Sequence, residues 1–134
     1  RRSIDYLETR PDIDSKKLCY SGFSWGGHYG AIIPAIDERL KVSILNAGGM
    51  WGFALPEVNQ INYVSRVKIP TLMLNGKYDL LLSFKPMFDL LGTPAADKRL
   101  ILYDTDHIIP LNECIKESIK WLDKYFGPVK PRTR

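Results

Sequence analysis

The sequence predicts an α/β fold: a mainly parallel sheet of about four strands flanked by helices. Short apolar runs alternate along the chain with segments in which apolar residues recur at helical spacing. Strands that alternate with helices usually pair in parallel, because each helix returns the chain to the same end of the sheet. The composition agrees, since 134 residues with 45% hydrophobic and 25% charged side chains can build one compact core.

One helix and four strands are predicted from local patterns in the sequence. The chain begins with the end of an amphipathic helix, residues 3–8, which Pro11 closes because a residue before proline avoids the helical region. Four apolar runs then predict strands, and the third of them is the clearest. The four runs are residues 17–23, 40–46, 69–76 and 99–103.

Three further helices are predicted from spacing and stop signals. Residues 25–36 are expected to form a helix on the sheet, with early glycines that allow a close approach, and residues 83–91 another. A last helix begins near Asn112 and stops at Gly127-Pro128, with apolar residues at helical spacing: Leu111, Ile115, Ile119, Leu122 and Phe126. We expect one domain over residues 1–126 and a basic tail over 127–134.

Charge and cysteine content exclude several classes of function. The net charge is +4, but the excess lies partly at the two ends of the chain, so we expect no nucleic-acid partner. No apolar run approaches the roughly 18 residues of a membrane span, and no signal peptide is visible, which favours a cytoplasmic protein without membrane contact. Cys19 and Cys114 lack metal-ligand spacing, so we expect buried free thiols and no metal.

A candidate nucleophile lies between the first predicted strand and the helix that follows. The sequence Gly22-Phe23-Ser24-Trp25-Gly26 has the G-x-S-x-G pattern, in which a sharp turn exposes the serine hydroxyl. We expect both flanking glycines to remove β-carbons that would collide with neighbouring backbone. The Trp25 N–H, at the start of the helix, could stabilise an oxyanion. The alternative is a simple tight turn whose serine caps the helix.

A serine nucleophile needs a base and a carboxylate that orients the base. His107 follows the fourth strand and is the favoured base, whereas His28, one turn beyond the serine, is expected to pack near the mouth of a pocket. Asp79 follows the third strand and is the favoured carboxylate. Two competitors, Asp104 and Asp106, lie in the same loop as His107.

The motifs GFSWGG, KIPTLMLNGKYD, LYDTDH and WLDKYFG, in this order, resemble the C-terminal half of an α/β-hydrolase. The nearest branches are the dienelactone-hydrolase-like and acetyl-xylan-esterase-like ones. The resemblance implies hydrolysis of a small-molecule ester or related acyl group without a cofactor: Ser24 attacks, His107 moves the proton and Asp79 holds the imidazole. A peptidase of the prolyl-oligopeptidase-like kind and a non-catalytic assembly module are the alternatives.

The sequence departs from this family before its first strand. The family fold has about eight strands, and the loop that gives its second oxyanion donor precedes the serine, whereas this chain has no such loop upstream of Ser24. We therefore expect weak catalysis by the chain alone. The strand Leu18–Phe23 is expected to pair with a second copy, forming a homodimer, or with a complementing N-terminal half. Trp51 and Phe53 either line an acyl pocket or cover the core.

Overall fold

The predicted fold class is confirmed by a computed structural model, which describes residues 1–52 and 55–129. Four parallel strands form one sheet in the order β1-β2-β3-β4, and helices cover both faces. The strands are β1 (Leu18–Phe23), β2 (Leu40–Asn46), β3 (Thr71–Gly76) and β4 (Lys98–Tyr103). The helices are α1 (Arg2–Glu8), α2 (Trp25–Tyr29), α3 (Ile33–Ile36), α4 (Phe84–Leu90) and α5 (Leu111–Phe126).

Two apolar clusters form the core, one on each face of the sheet. Side chains alternate between the faces along each strand, so Leu45 of β2 packs with α4 while its neighbour Ile44 packs with α5. All six residues of β3 are buried, as expected for a strand with partners on both sides. The packing of both clusters thus fixes the positions of the strands, and with them the edge of the sheet where their carboxyl ends lie.

Two sequence predictions about helices were wrong in detail. The single helix expected over residues 25–36 is two short helices, because Gly30 is a poor helix former packed directly on Leu45 and because Pro34 fits only the first turn of α3. Helix α5 is present, but three of its regularly spaced apolar residues are exposed, and its buried residues are Cys114 and Trp121. The three exposed residues are Leu111, Ile115 and Ile119.

Helix α1 is attached to the start of β2 by one arginine. The Arg39 guanidinium binds Asp37 at 2.8 Å and also reaches Asp5 and Glu8 of α1, each at 2.7 Å. Asp37 is buried, and its hydrogen bond to Arg39 lowers the pKa of its carboxyl from 3.8 to about 2. This ion pair therefore needs an ionised Asp37.

Within the described residues, β1 is an edge strand that pairs with β2 alone. An apolar groove of about 360 Å³ runs beside it, between α1 and α3, and its lining includes Ile4, Leu7, Leu18, Tyr20 and Ile33. The same described part of the chain contains no helix of the length and hydrophobicity that a membrane crossing requires. Most of the predicted basic tail, residues 130–134, lies outside the described residues.

Candidate active site

Ser24 lies in a strained turn between β1 and α2. Its φ of 53° is in the left-handed region that non-glycine residues rarely adopt. Two backbone hydrogen bonds of 2.8 Å hold this conformation, one from the Ser24 N–H to the Asn46 carbonyl and one from the His28 N–H to the Ser24 carbonyl. The turn therefore keeps the serine side chain at the carboxyl end of the sheet.

The glycines around Ser24 do not all serve the purpose expected from sequence. A β-carbon at Gly22 would overlap the Gly26 carbonyl, so this glycine is required for the turn. The same expectation was wrong for Gly26, where a β-carbon would meet nothing within 4 Å. Instead Gly27 packs against Gly48, at a distance of 2.7 Å from its hypothetical Cβ to the Gly48 Cα. The double glycine in each segment was the available sequence signal.

Three side chains predicted from separate segments form a hydrogen-bonded row. The His107 Nε2 lies 2.6 Å from Ser24 Oγ, and His107 Nδ1 lies 2.8 Å from Asp79 Oδ2. In the neutral tautomer that fits these contacts, Ser24 Oγ–H donates to Nε2, and Nδ1–H donates to the Asp79 carboxylate. The Asp79 side chain is fully buried, and the Leu81 N–H donates to its other oxygen at 2.9 Å.

The two competing carboxylates have other partners. Asp104 is exposed and lies 3.3 Å from Lys77 Nζ, while Asp106 accepts a hydrogen bond from the Ile108 N–H at 3.0 Å. The loops after β3 and β4 also bind one another directly, because the Tyr78 N–H donates to the Thr105 carbonyl at 3.0 Å. This pairing brings Asp79, rather than a residue of the histidine's own loop, to His107.

Gly76 makes this approach of the two loops possible, and sequence reasoning missed it. A β-carbon at Gly76 would overlap the Asp106 carbonyl. No pattern within β3 indicates that contact, because it depends on the loop after β4. The glycine at the end of the predicted strand was the available signal.

His28 packs beside the turn and makes no hydrogen bond with Ser24 Oγ. It is 4% exposed, its ring stacks on Trp25 with centroids 4.9 Å apart, and its Nδ1 lies 3.2 Å from the Gly49 carbonyl oxygen. The amide nitrogen of Gln60 contacts its ring nitrogens. Burial lowers the pKa of His28, so its imidazole is neutral at pH 7. Gln60, fully buried, was not foreseen from sequence.

Aromatic side chains directly precede and follow Ser24 in the sequence. Trp25, the first residue of α2, is half exposed, and its indole meets that of Trp51 edge to face at 5.3 Å. The Phe23 ring lies 5.7 Å from the His107 ring. Phe23 was not among the predicted site residues, although its place in the pentapeptide indicated it. The other predicted pocket residue, Phe53, lies outside the described residues.

The two cysteines are free and lie in apolar surroundings. Burial raises the pKa of Cys19 to about 12 and also raises that of Cys114, so both remain thiols at neutral pH. Over residues 1–52 and 55–129, no three histidine, cysteine or acidic side chains are placed to hold a metal ion together. Of the described side chains, Ser24 is the one whose hydroxyl lies within hydrogen-bond distance of a histidine ring nitrogen.

No protein-family model and no curated protein matches this sequence. Solved structures do match its fold. They include an acetyl xylan esterase from Paenibacillus sp. R4, at 20% identity and a TM-score of 0.76, with 92% of this chain and 50% of that chain covered. They also include a protein from Klebsiella pneumoniae subsp. pneumoniae MGH 78578 assigned as a dienelactone hydrolase, at 16% identity and a TM-score of 0.74, with 92% and 58% covered.

An alpha/beta hydrolase from Penicillium sp. sh18 matches at 12% identity and a TM-score of 0.80, covering 92% of this chain and 69% of that chain. The chain thus spans 50% and 58% of the length of the first two structures. The chain shares the fold of the matched part of these α/β-hydrolase structures, which confirms the resemblance in fold predicted from its motifs. Its structural neighbours are esterases and other hydrolases.

Proposed function

We propose that this chain carries the catalytic residues of a serine hydrolase that acts on small-molecule carboxylic esters or related acyl groups. The observation that carries the proposal is His107, which lies within hydrogen-bond distance of Ser24 Oγ on one side and the Asp79 carboxylate on the other. This arrangement supplies a nucleophile, a base and an orienting group.

In the proposed reaction, Ser24 Oγ attacks the ester carbonyl carbon while its proton moves to His107 Nε2. The buried Asp79 carboxylate accepts the Nδ1–H bond and stabilises the imidazolium that forms. The carbonyl oxygen becomes an oxyanion, to which the Trp25 N–H can donate at the start of α2. The tetrahedral species then collapses, and His107 returns the proton to the departing alcohol.

The second half of the reaction uses the same groups. Water attacks the acyl-serine carbonyl and gives its proton to His107, and collapse of the second tetrahedral species returns a proton to Ser24 Oγ and releases the acid. Each proton transfer runs through His107, which already contacts Ser24 and Asp79, so no large rearrangement of the three side chains is required.

Esters are favoured over peptides as substrates. An amide needs more stabilisation of its oxyanion and protonation of a poorer leaving group, whereas the proposal draws one oxyanion donor, the Trp25 N–H, from the described residues. Loss of one donor costs on the order of 10²–10³ in rate, so we expect slow ester hydrolysis by the chain alone. The structural neighbours that are esterases support the same choice.

A second part of the proposal concerns the free edge of β1. We propose that it pairs with a strand from a second copy of this chain or from a complementing N-terminal half, because an apolar edge strand presents unpaired backbone groups to other chains. The rival function is a non-catalytic assembly module that uses this edge alone. The two readings differ in whether Ser24 reacts.

Hydrolysis of p-nitrophenyl acetate and butyrate by the purified protein tests the proposal. We expect turnover that Ser24→Ala reduces by at least 10³-fold, because loss of the nucleophile leaves only binding and oxyanion stabilisation. Ser65→Ala, which removes an exposed hydroxyl elsewhere, is the matched control and should leave turnover unchanged. Equal rates for wild type and Ser24→Ala would refute the hydrolase assignment and leave the assembly module.

A further inference from the structure

Helix α2 carries the proposed oxyanion donor but has little stability of its own. It contains five residues, and two of them, Gly26 and Gly27, are glycines. Helices this short do not persist in isolation, and glycine is the poorest helix former after proline. Contacts outside the helix must therefore fix the direction of the Trp25 N–H.

His28 supplies such contacts at two places. One face of its imidazole stacks on the Trp25 indole, with an angle of 15° between the planes. At its edge, Nδ1 lies 3.2 Å from the Gly49 carbonyl oxygen, to which the neutral ring can donate its N–H, and the side-chain nitrogen of Gln60 contacts both ring nitrogens. A single buried ring thus joins the side chain of Trp25 to the loop that follows β2.

The loop after β2 is paired with the segment that follows Asp79, the proposed acid. Met50, next to Gly49, pairs with Ser83 through two backbone hydrogen bonds of 3.0 Å, and Ser83 is four residues beyond Asp79. A β-carbon at Gly49 would lie 2.8 Å from the Ser83 carbonyl carbon, so the two segments are packed without spare room. His28 therefore connects the helix of the donor to a loop that is itself paired with the segment beside the acid.

We propose that His28 is a positioning residue, which holds α2 at the angle where the Trp25 N–H meets the oxyanion formed on Ser24. This inference rests on the proposed hydrolase function. His28 acts through Trp25, because its own side chain makes no hydrogen bond with Ser24 Oγ. Loss of its contacts should weaken binding of the transition state and leave binding of the ground-state ester nearly unchanged.

Two variants separate the contacts of His28. His28→Phe keeps a ring that can stack on Trp25 but loses both polar contacts, whereas His28→Asn keeps a polar side chain but loses the stacking. The readouts are kcat and KM for p-nitrophenyl butyrate, with kcat expressed per site that a fluorophosphonate labels. We expect kcat per labelled site to fall at least tenfold in both variants, below the roughly 10²–10³-fold loss of a whole donor, and KM to stay within about twofold.

A trifluoromethyl ketone tests the link to the oxyanion. Ser24 Oγ adds to its carbonyl carbon, the serine proton moves to His107, and the carbonyl oxygen becomes an oxyanion without any leaving group. We expect its inhibition constant to rise by the same factor as kcat falls in each variant. A constant that stays at the wild-type value while kcat falls would overturn the proposed role.

Trp121→Phe is the control for general loss of stability. Trp121 is buried on the α5 face of the sheet, away from α2, so this change should lower stability and leave kcat per labelled site unchanged. Wild-type kcat per labelled site in both His28 variants would overturn the inference while leaving the hydrolase function intact. A wild-type protein that neither turns over ester nor takes the label would overturn both.

Discussion

The carboxyl end of the sheet and the free edge of β1 meet at Ser24, yet they differ in how far their polar groups are partnered. At the carboxyl end, loops after β1, β3 and β4 converge, and Ser24, His107 and Asp79 satisfy one another through hydrogen bonds. Along the edge, β1 has a partner strand on one side only within the described residues, and an apolar groove lies open beside it.

The polar contacts of the candidate site are made within this chain, whereas one side of β1 has no partner strand among the described residues. The geometry of the candidate site depends on contacts between neighbouring loops, such as the Tyr78 N–H bond to the Thr105 carbonyl. The edge of β1, in contrast, is proposed to pair with a strand from another chain. Changes at the carboxyl end should therefore alter rate, and changes at the edge should alter assembly.

The largest loss of kcat is expected at the buried acid, Asp79, and not at its exposed competitor, Asp104. Asp79→Asn should lower kcat on the order of 10⁴-fold while the fold persists, because the amide no longer stabilises the imidazolium or the correct tautomer. Asp104→Asn, at an exposed side chain of the same residue type, should stay within twofold of wild type. Ester hydrolysis measures both, and a comparable loss in Asp104→Asn would mean that the acid has been misassigned.

The glycines around Ser24 differ in how much room the structure leaves for a β-carbon. Gly22→Ala and Gly27→Ala should each destabilise the fold by about 1–3 kcal/mol, because their β-carbons would press on backbone atoms that cannot rotate away. Gly26→Ala should be neutral or stabilising by up to about 1 kcal/mol, since alanine favours the helix and meets nothing. Urea unfolding gives the three free energies, and equal losses in all three would contradict this account of the turn.

A separate prediction concerns assembly through the free edge of β1. We expect light scattering to give a molar mass above that of one chain, because β1 pairs with another chain in the proposal. Ser21→Lys adds a charge on the exposed part of the strand and should weaken that association at least tenfold. A charge reversal at an exposed residue outside β1, Lys116→Glu on α5, is the control. A stable monomer with unreduced activity would show that the edge needs no partner.

The smallest effect lies far from the site, at the ion pair that anchors α1. Asp37→Asn should lower stability by about 1 kcal/mol at pH 7. Because the folded pKa of Asp37 is lowered from 3.8 to about 2, its stabilisation is complete above pH 4 and is lost as the pH falls towards 2. The free energies of unfolding of wild type and variant should therefore converge between pH 4 and pH 2, and a constant difference over that range would contradict the assignment.

The sequence was most informative about the candidate catalytic residues, because each of them comes shortly after the end of a strand. Ser24, Asp79 and His107 come after three different strands, and parallel strands place their carboxyl ends at one edge, so proximity could be predicted without any contact information. The strand bounds were also predictable, with β2 matching to the residue, because apolar runs between turn signals are local patterns.

Features that depend on contacts between distant segments could not be predicted. The need for Gly76 comes from the Asp106 carbonyl in another loop, and the burial of Gln60 comes from His28. The division of residues 25–36 into two helices reflects the packing of Gly30 on Leu45. Periodicity also placed Leu111, Ile115 and Ile119 together without showing that this stripe of α5 is exposed.

The most direct test of the central claim is peptide mapping of the protein after reaction with a fluorophosphonate. We expect one adduct per chain, on Ser24, and no adduct in either Ser24→Ala or His107→Ala. The reason is that the Ser24 hydroxyl reacts only when the His107 imidazole accepts its proton. An adduct on another residue, or a wild-type protein that takes no label, would contradict the claim that Ser24 is the nucleophile.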